Sequence, residues 1–362
     1  MIEFSYEEAE RMPDSEREAI LADPGFGKAF TDHMVSIIWT REAGWHDARV
    51  MPYGPISMDP GASVLHYGQE IFEGIKAYRQ PNGEIVTFRP EANAKRLNES
   101  AVRMALPELP EELFVRAIEA LVRIDAGWVP RGEDQTLYLR PFMIADENFL
   151  GVRAAERARF MVIASPAGPY FTGGVKPVSI WLSDHYARAG HGGTGAAKCG
   201  GNYAASLLPT RIAQQHGCAQ VLFTDALTDD TIDELGGMNL MLVHRDGKLI
   251  TPALNGNILD GVTRRSLLQL ARDRGLEVEE RAVTVSEWRD GVADGSITEA
   301  FACGTAAVIT PIGMLKGEAG TLVDFGDRAP GEVTMSLRRQ LTGIQFGTEP
   351  DPHGWVHPIA EA

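Results

Sequence analysis

The sequence predicts an α+β fold built from two domains, each mixing strands and helices. Three observations carry this expectation. The chain has 362 residues, which at about 150 residues per domain corresponds to two. Strand-like and helix-like stretches run through its whole length without the regular βαβ alternation of a single doubly wound sheet. A run rich in turn formers, from Pro166 to Gly174, separates two such blocks, and the second starts at Val175. Apolar residues make up 44% of the chain, ample for a core in each block.

In chain order, residues 1–24 are polar and read as a mobile or loosely packed arm. Val35 to Trp39 reads as a strand. Ile71 to Tyr78 and Glu84 to Phe88 read as a hairpin around Pro81-Asn82-Gly83. Helical spacing begins near Asn93, with Leu97, Ala101 and Met104 on one face. A second helix carries Phe114, Ile118, Leu121 and Val122. Leu137 to Ile144 and Arg159 to Ala164 are strand-like. In the second block, strands are expected at 178–183, 219–224, 239–244, 248–251 and 297–302, with a tight hairpin at Asp246-Gly247. Helices are expected at 203–216, 263–274 and 333–343. Pro209 falls inside the first of these and should kink or split it.

Lys plus Arg number 34 against 50 Asp plus Glu, a formal net charge of −16. This disfavours nucleic acid and anionic membranes, which need a basic surface, but leaves room for a local pocket that holds a small anion. The acidic start lacks the basic and apolar regions of a secretory signal, and no apolar run is long enough to cross a membrane, so a cytoplasmic protein is expected. Cys199, Cys218 and Cys303 are widely spaced and support neither a disulfide framework nor a zinc ribbon. His353 and His357 have HxxxH spacing, but the flanking prolines disfavour a helix, so the pair reads as part of a solvated tail and no metal is expected. The phosphate-loop, GxGxxG and GxSxG patterns all fail on their defining residues.

The most unusual stretch is Gly190 to Asn202, GHGGTGAAKCGGN, with six glycines in thirteen residues around a single lysine. The plain alternative is a flexible loop with a solvated Lys198. Against it, glycine permits close approach of backbone to a flat ligand, and a lysine among small residues can be desolvated and made nucleophilic.

The segments FGKAFTDHM (26–34), HYGQEIFEGIKAY (66–78), FRPEANAKRL (88–97), LYLRPFMI (137–144), ENFLGV (147–152), KCGGNY (198–203), DELGGMN (233–239), GVTRRSLL (261–268) and CGTAAVITP (303–311) occur in one order along the chain. In them the sequence resembles the branched-chain amino-acid aminotransferases, class IV pyridoxal-phosphate enzymes of the D-amino-acid-aminotransferase-like fold (fold type IV). The resemblance implies a small N-terminal domain at 1–170, a linker at 171–177 and a large C-terminal domain at 178–362, with pyridoxal 5′-phosphate between the domains. It implies transamination of leucine, isoleucine and valine with 2-oxoglutarate, reversible and ping-pong, by a homodimer.

Carried over residue by residue, the resemblance makes Lys198 the lysine that bonds the cofactor and shuttles the substrate proton. Glu234 faces the pyridine nitrogen, and the ExGxMN phase selects it over Asp233. Tyr203 bonds the cofactor O3′. Gly261, Val262 and Thr263, opening a helix, hold the phosphate together with Thr305 and Arg96. Arg264 and Arg265 read as exposed helix charges. Phe26, Tyr67, Phe72 and Tyr138 form the aromatic wall of the substrate pocket, and Arg140 receives the γ-carboxylate of glutamate. The Tyr138 hydroxyl and the backbone at Thr305-Ala306 hold the α-carboxylate, and Val152 lies on a loop reaching the neighbouring subunit.

Two departures stand out. Ala307 and Thr310 replace the redox CxxC of mammalian relatives, and Gly237 stands where relatives often have threonine. Cys199 and Cys303 are expected to be buried and inert. The alternatives are a D-amino-acid transaminase or aminodeoxychorismate lyase on the same fold, or a non-catalytic descendant, which would have lost Lys198 or Glu234.

Overall fold

The computed structural model describes residues 2–170, 174–228 and 230–359. These divide into two compact units. The first takes the described residues up to Pro169, Ala197–Gly200 and those from Gly343 on; the second takes the described residues of Tyr170–Ala196 and Gly201–Thr342. Both units mix sheet and helix, as the sequence predicts.

In the first unit the strands are β1 (Ser5–Tyr6), β2 (His33–Thr40), β3 (Gly44–Pro52), β4 (Glu70–Phe72), β5 (Ile75–Arg79), β6 (Ile85–Phe88), β7 (Thr136–Ala145) and β8 (Arg157–Ala167). The helices are α1 (Asp14–Ala22), α2 (Ser63–Tyr67), α3 (Pro90–Arg103) and α4 (Glu111–Ile124). The sheet runs β1-β3-β2-β8-β7-β5-β6 and is completed by Val356–Pro358 beside β6, while β4 pairs separately with β7. The short β1 is parallel to β3, and the other pairings among the described residues are antiparallel, so each strand can present one face to the core and one outward. In β7, Leu137, Leu139, Pro141 and Met143 are buried, and Tyr138, Arg140 and Phe142 alternate with them on the other face. Phe114, Ile118, Leu121 and Val122 of α4 are each fully buried, as their spacing predicts.

The second unit holds β9 (Val178–Leu182), α5 (Gly200–Gln215), β10 (Gln220–Thr224), β11 (Ile232–Leu235), β12 (Asn239–His244), β13 (Leu249–Pro252), α6 (Val262–Asp273), β14 (Val278–Arg281), α7 (Val285–Ala293), β15 (Ile297–Gly304), β16 (Val308–Gly317), β17 (Gly320–Asp324) and α8 (Glu332–Phe346). The division between units falls at the first residue of α5 and within α8. The sheet order is β11-β10-β9-β16-β15-β12-β13-β14, with β17 beside β16. Parallel pairs at β9–β10, β9–β16 and β13–β14 make it a mixed sheet. Trp288 of α7 is fully buried in its core. That helix has a local signal: Thr284 caps it by accepting the Glu287 N–H at 3.0 Å.

Several expectations are corrected. The N-terminal arm is not loose: residues 14–22 form α1, β1 pairs with β3, and Ile20 and Leu21 pack against the core. Polar composition hid this because α1 has no fully buried residue and meets the core through its last turn. The turn-rich run does not begin at Pro166, since Pro166 and Ala167 belong to β8, where Pro166 pairs with Leu137. Of the expected linker, Phe171, Thr172 and Gly173 lie outside the described residues. Helix α5 is not split at Pro209, which is itself buried, and burial of Ser206 and Ala213 on the same helix outweighs one missing backbone bond. His357 is not in a solvated tail: it sits in the terminal strand, 2.8 Å from Glu119 and 3.1 Å from Glu91. Among the described residues no helix is long and apolar enough to cross a membrane, and no cluster of His, Cys, Asp and Glu could hold a metal ion.

Candidate active site

The first unit gathers an aromatic and cationic cluster around Lys198. Ala197 and Cys199 are buried in the core of this unit, so the lysine between them is held from both sides. Its backbone is tied as well. Lys198 N–H donates to Ser100 Oγ at 2.9 Å, Phe72 N–H donates to the Lys198 carbonyl at 2.9 Å, and Gly200 N–H donates to the Glu70 carboxylate. Burial raises the Glu70 carboxyl above its ordinary value. The Lys198 Nζ lies 4.8 Å from the centre of the Phe72 ring. Removing Ser100 Oγ leaves the Lys198 N–H without that acceptor, so Ser100→Ala should cost about 1–3 kcal/mol of stability. Urea denaturation would show it as a fall in midpoint with an unchanged slope.

Strand alternation sets the rest of the cluster. Tyr138 and Arg140 share a face of β7, and Arg140 Nη2 donates to Tyr138 Oη at 3.2 Å. The guanidinium stands 4.8 Å from the Phe72 ring centre, and Phe26 meets Tyr138 edge-on at 5.1 Å. Arg140 Nε is buried without a hydrogen-bond partner. A cation resting on aromatic faces beside apolar surface suits a ligand that is sometimes aliphatic and sometimes a carboxylate. Gly74 belongs to this arrangement: a Cβ there would lie 2.3 Å from Tyr138 Oη. The break at Glu73-Gly74 also divides the expected Ile71–Tyr78 strand into β4 and β5, both paired with β7.

Glu73 is the residue that sequence reasoning missed here. It is wholly buried and grips Arg96 with both oxygens, Nε at 2.8 Å and Nη2 at 2.7 Å, while Asn93 donates at 2.8 Å. Burial alone would raise its carboxyl, yet Arg96, Lys198 and Asn93 hold it below its ordinary value. Arg96 therefore already has a carboxylate partner on two of its nitrogens. Tyr67 and Val152 are exposed. The Tyr67 hydroxyl donates to the Leu150 carbonyl, and Val152 is 86% exposed.

The second unit gathers a different set around residues 234–239. Glu234 lies on β11, buried, with Oε1 accepting the Leu259 N–H at 3.0 Å and forming an ion pair with Arg188 Nη1 at 3.0 Å, and Oε2 accepting from Asn239 Nδ2 at 3.0 Å. Two neutral donors hydrogen-bond its oxygens and a guanidinium stands beside them, so the carboxyl group is fixed in one orientation. Leu259 is two residues ahead of Gly261, the N-cap of α6, which no side chain caps. The amides of Val262 and Thr263 thus open the helix at its electropositive end. Tyr203, on α5, lies against Gly237. Asn239 pairs with Cys303 across β12 and β15, and Gly304 pairs with Val308, so Thr305 and Ala306 lie in the three-residue turn that joins β15 to β16.

Arg264 is corrected: it is 1% exposed, donating to the Pro252 carbonyl at 3.1 Å and to Glu280 at 2.9 Å, and it ties α6 to β13 and β14. Cys199, Cys218 and Cys303 are free and buried, and burial pushes the Cys303 thiol up to about 12, so it stays protonated and unreactive.

In the first unit, then, a lysine is braced over an aromatic ring beside a guanidinium. In the second, a buried carboxylate meets a guanidinium and an open helix start offers amides to a small anion. The chain belongs to the class IV aminotransferases, whose family model matches residues 70–314. Within that family it is similar to branched-chain-amino-acid aminotransferases. It is 58% identical to that of Mycolicibacterium smegmatis over 347 residues, covering 95% of this chain and 94% of the relative. It is 55% identical to that of Mycobacterium tuberculosis strain H37Rv, with the same coverage. Among solved structures, the branched-chain amino acid aminotransferase of Thermobaculum terrenum in its PLP form matches with a TM-score of 0.73 at 26% identity, covering 91% of this chain and 98% of that one.

Proposed function

We propose that this chain transaminates leucine, isoleucine and valine with 2-oxoglutarate, using pyridoxal 5′-phosphate, and forms the branched 2-oxo acids and L-glutamate. The observation that carries the reading is the joint placement of Lys198, Phe72, Tyr138 and Arg140 in the first unit. The donor chemistry fits the cofactor: a lysine for its aldehyde, an anion for its ring nitrogen, and uncapped helix amides with Thr263 and Thr305 hydroxyls for its phosphate. The relatives at 55–58% identity support the substrate class. A solved branched-chain amino acid aminotransferase complexed with N-(5′-phosphopyridoxyl)-L-glutamate, 29% identical to this chain, supports glutamate as the other partner.

When bound, pyridoxal phosphate supplies an electron sink for the charge released at the substrate α-carbon. Lys198 would hold the cofactor through Nζ, and the same amine would serve as the base that moves a proton at the substrate α-carbon. Glu234 would favour a protonated ring nitrogen. Tyr203 would donate to the cofactor O3′. Arg96, oriented by Glu73, adds positive charge for the phosphate. Phe26, Tyr67, Phe72 and Tyr138 exclude water from an aliphatic side chain, and Arg140 accepts the γ-carboxylate when glutamate occupies the site. The Tyr138 hydroxyl and the backbone at Thr305-Ala306 hold the α-carboxylate. Homodimer formation and a cytoplasmic location belong to the same reading, and the exposure of Leu150 and Val152, at 61% and 86%, supports a partner subunit at that segment.

The test is a panel with purified chain and added cofactor. L-leucine, L-isoleucine and L-valine should each yield glutamate from 2-oxoglutarate, and D-alanine should not. Turnover of D-alanine without turnover of L-leucine would replace this reading with the D-amino-acid one.

A further inference from the structure

The glycine-rich stretch before Lys198 contains more than the lysine. A Cβ at Gly195 would lie 2.4–2.7 Å from the backbone of Asn257, so only glycine lets these two segments meet. Arg188 lies at that meeting. Its Nη1 donates to the Asn257 carbonyl at 2.8 Å and to the Gly195 carbonyl at 3.3 Å, and it stands 3.0 Å from Glu234 Oε1. Both side chains of the ion pair are almost fully buried, at 2% and 3% exposure.

A buried ion pair is weak as a source of stability, because desolvation consumes most of the attraction. Arg188 also leaves its Nε buried with no hydrogen-bond partner. A residue kept for packing alone would not carry that burden. What it does provide is a fixed positive charge and three anchors: β11, the glycine-rich segment and the turn that leads into α6. Asp233, the neighbour of Glu234, takes its side-chain hydrogen bonds from Asn255 and Asn257, and of the two carboxylates it is Glu234 that forms the ion pair with the guanidinium.

We propose that Arg188 is a positioning residue for the transamination, fixing the Glu234 carboxyl group in one orientation and tying it to the segments on either side. This rests on the reading of Glu234 as partner of the cofactor's ring nitrogen. Without Arg188 the carboxylate loses this guanidinium, and its hold on a ring N–H becomes weaker and less directed. Sequence reasoning passed over Arg188 because no local pattern marks it.

The test compares binding of pyridoxal phosphate with its 1-deaza analogue, in which a C–H replaces the ring nitrogen, by equilibrium dialysis against the cofactor-resolved chain. The wild type should prefer pyridoxal phosphate by about tenfold, the worth of one charged hydrogen bond, and Arg188→Gln should reduce the preference to about threefold or less. Arg188→Lys keeps the charge but loses the fork, and should fall between the two. If Arg188→Gln does not fold, judged by thermal unfolding of the cofactor-free chain, Arg188→Lys takes its place. A preference unchanged from wild type in the folded variant overturns the role of Arg188 and leaves that of Glu234 intact. A wild type that does not discriminate overturns the reading of Glu234 itself. In the Glu234→Gln background, Arg188→Gln should reduce the preference no further; an additional loss would mean that Arg188 acts independently of Glu234.

Discussion

Lys198→Ala should lower turnover of L-leucine by at least about 10³-fold while leaving the chain folded, since one side chain serves as both nucleophile and general base. The separation of effects follows from how the residue is held. Core packing at this point comes from Ala197 and Cys199, and the bonds from Ser100, Phe72 and Glu70 all use backbone groups of residues 198 and 200. None of these involves the Lys198 amine. The cofactor-free variant should therefore still unfold cooperatively, with a melting temperature lowered only by loss of the amine's contacts with the Phe72 ring and the Glu73 charge. Absorbance of a lysine-linked cofactor should vanish, and its persistence in the variant would mean that another amine bonds the cofactor.

Glu73→Ala should be the most destabilising single change near the site, by about 3–5 kcal/mol, because it leaves the Arg96 charge buried without its carboxylate. Arg96 is 4% exposed and Glu73 wholly buried, so water cannot take the place of the lost partner. Chemical denaturation of the cofactor-free chain would measure the loss. A change below about 1 kcal/mol would show that Arg96 finds compensation elsewhere. The same pair predicts acid sensitivity. The folded Glu73 carboxyl lies below its ordinary value of 4.5. Its contribution is then fully present above that unfolded value and is lost as the pH falls through the lower folded one. The wild type should lose stability over that acidic interval, and Glu73→Gln should flatten the dependence.

These two residues differ in how legible they were. Lys198 is marked by a local signal, a lysine among glycines. Glu73 lies in a matched segment, but nothing in IFEGIK distinguishes a surface glutamate from a wholly buried one. The same holds for Arg188 beside Glu234, and for Arg264, which has the spacing of an exposed helix charge and is 1% exposed.

What the sequence determined by itself was local. Alternation along β7 puts Tyr138 and Arg140 on one face, helical spacing buries Phe114, Ile118 and Leu121, and Gly261 ends an extended segment at the start of α6. Such patterns repeat every two to four residues, within the reach of backbone geometry. The tertiary structure decided which charges meet. Glu73 and Arg96 are 23 residues apart, and Arg188 and Glu234 are farther apart still. A guanidinium chooses its carboxylate by burial and distance, and neither is set until distant strands and turns have packed.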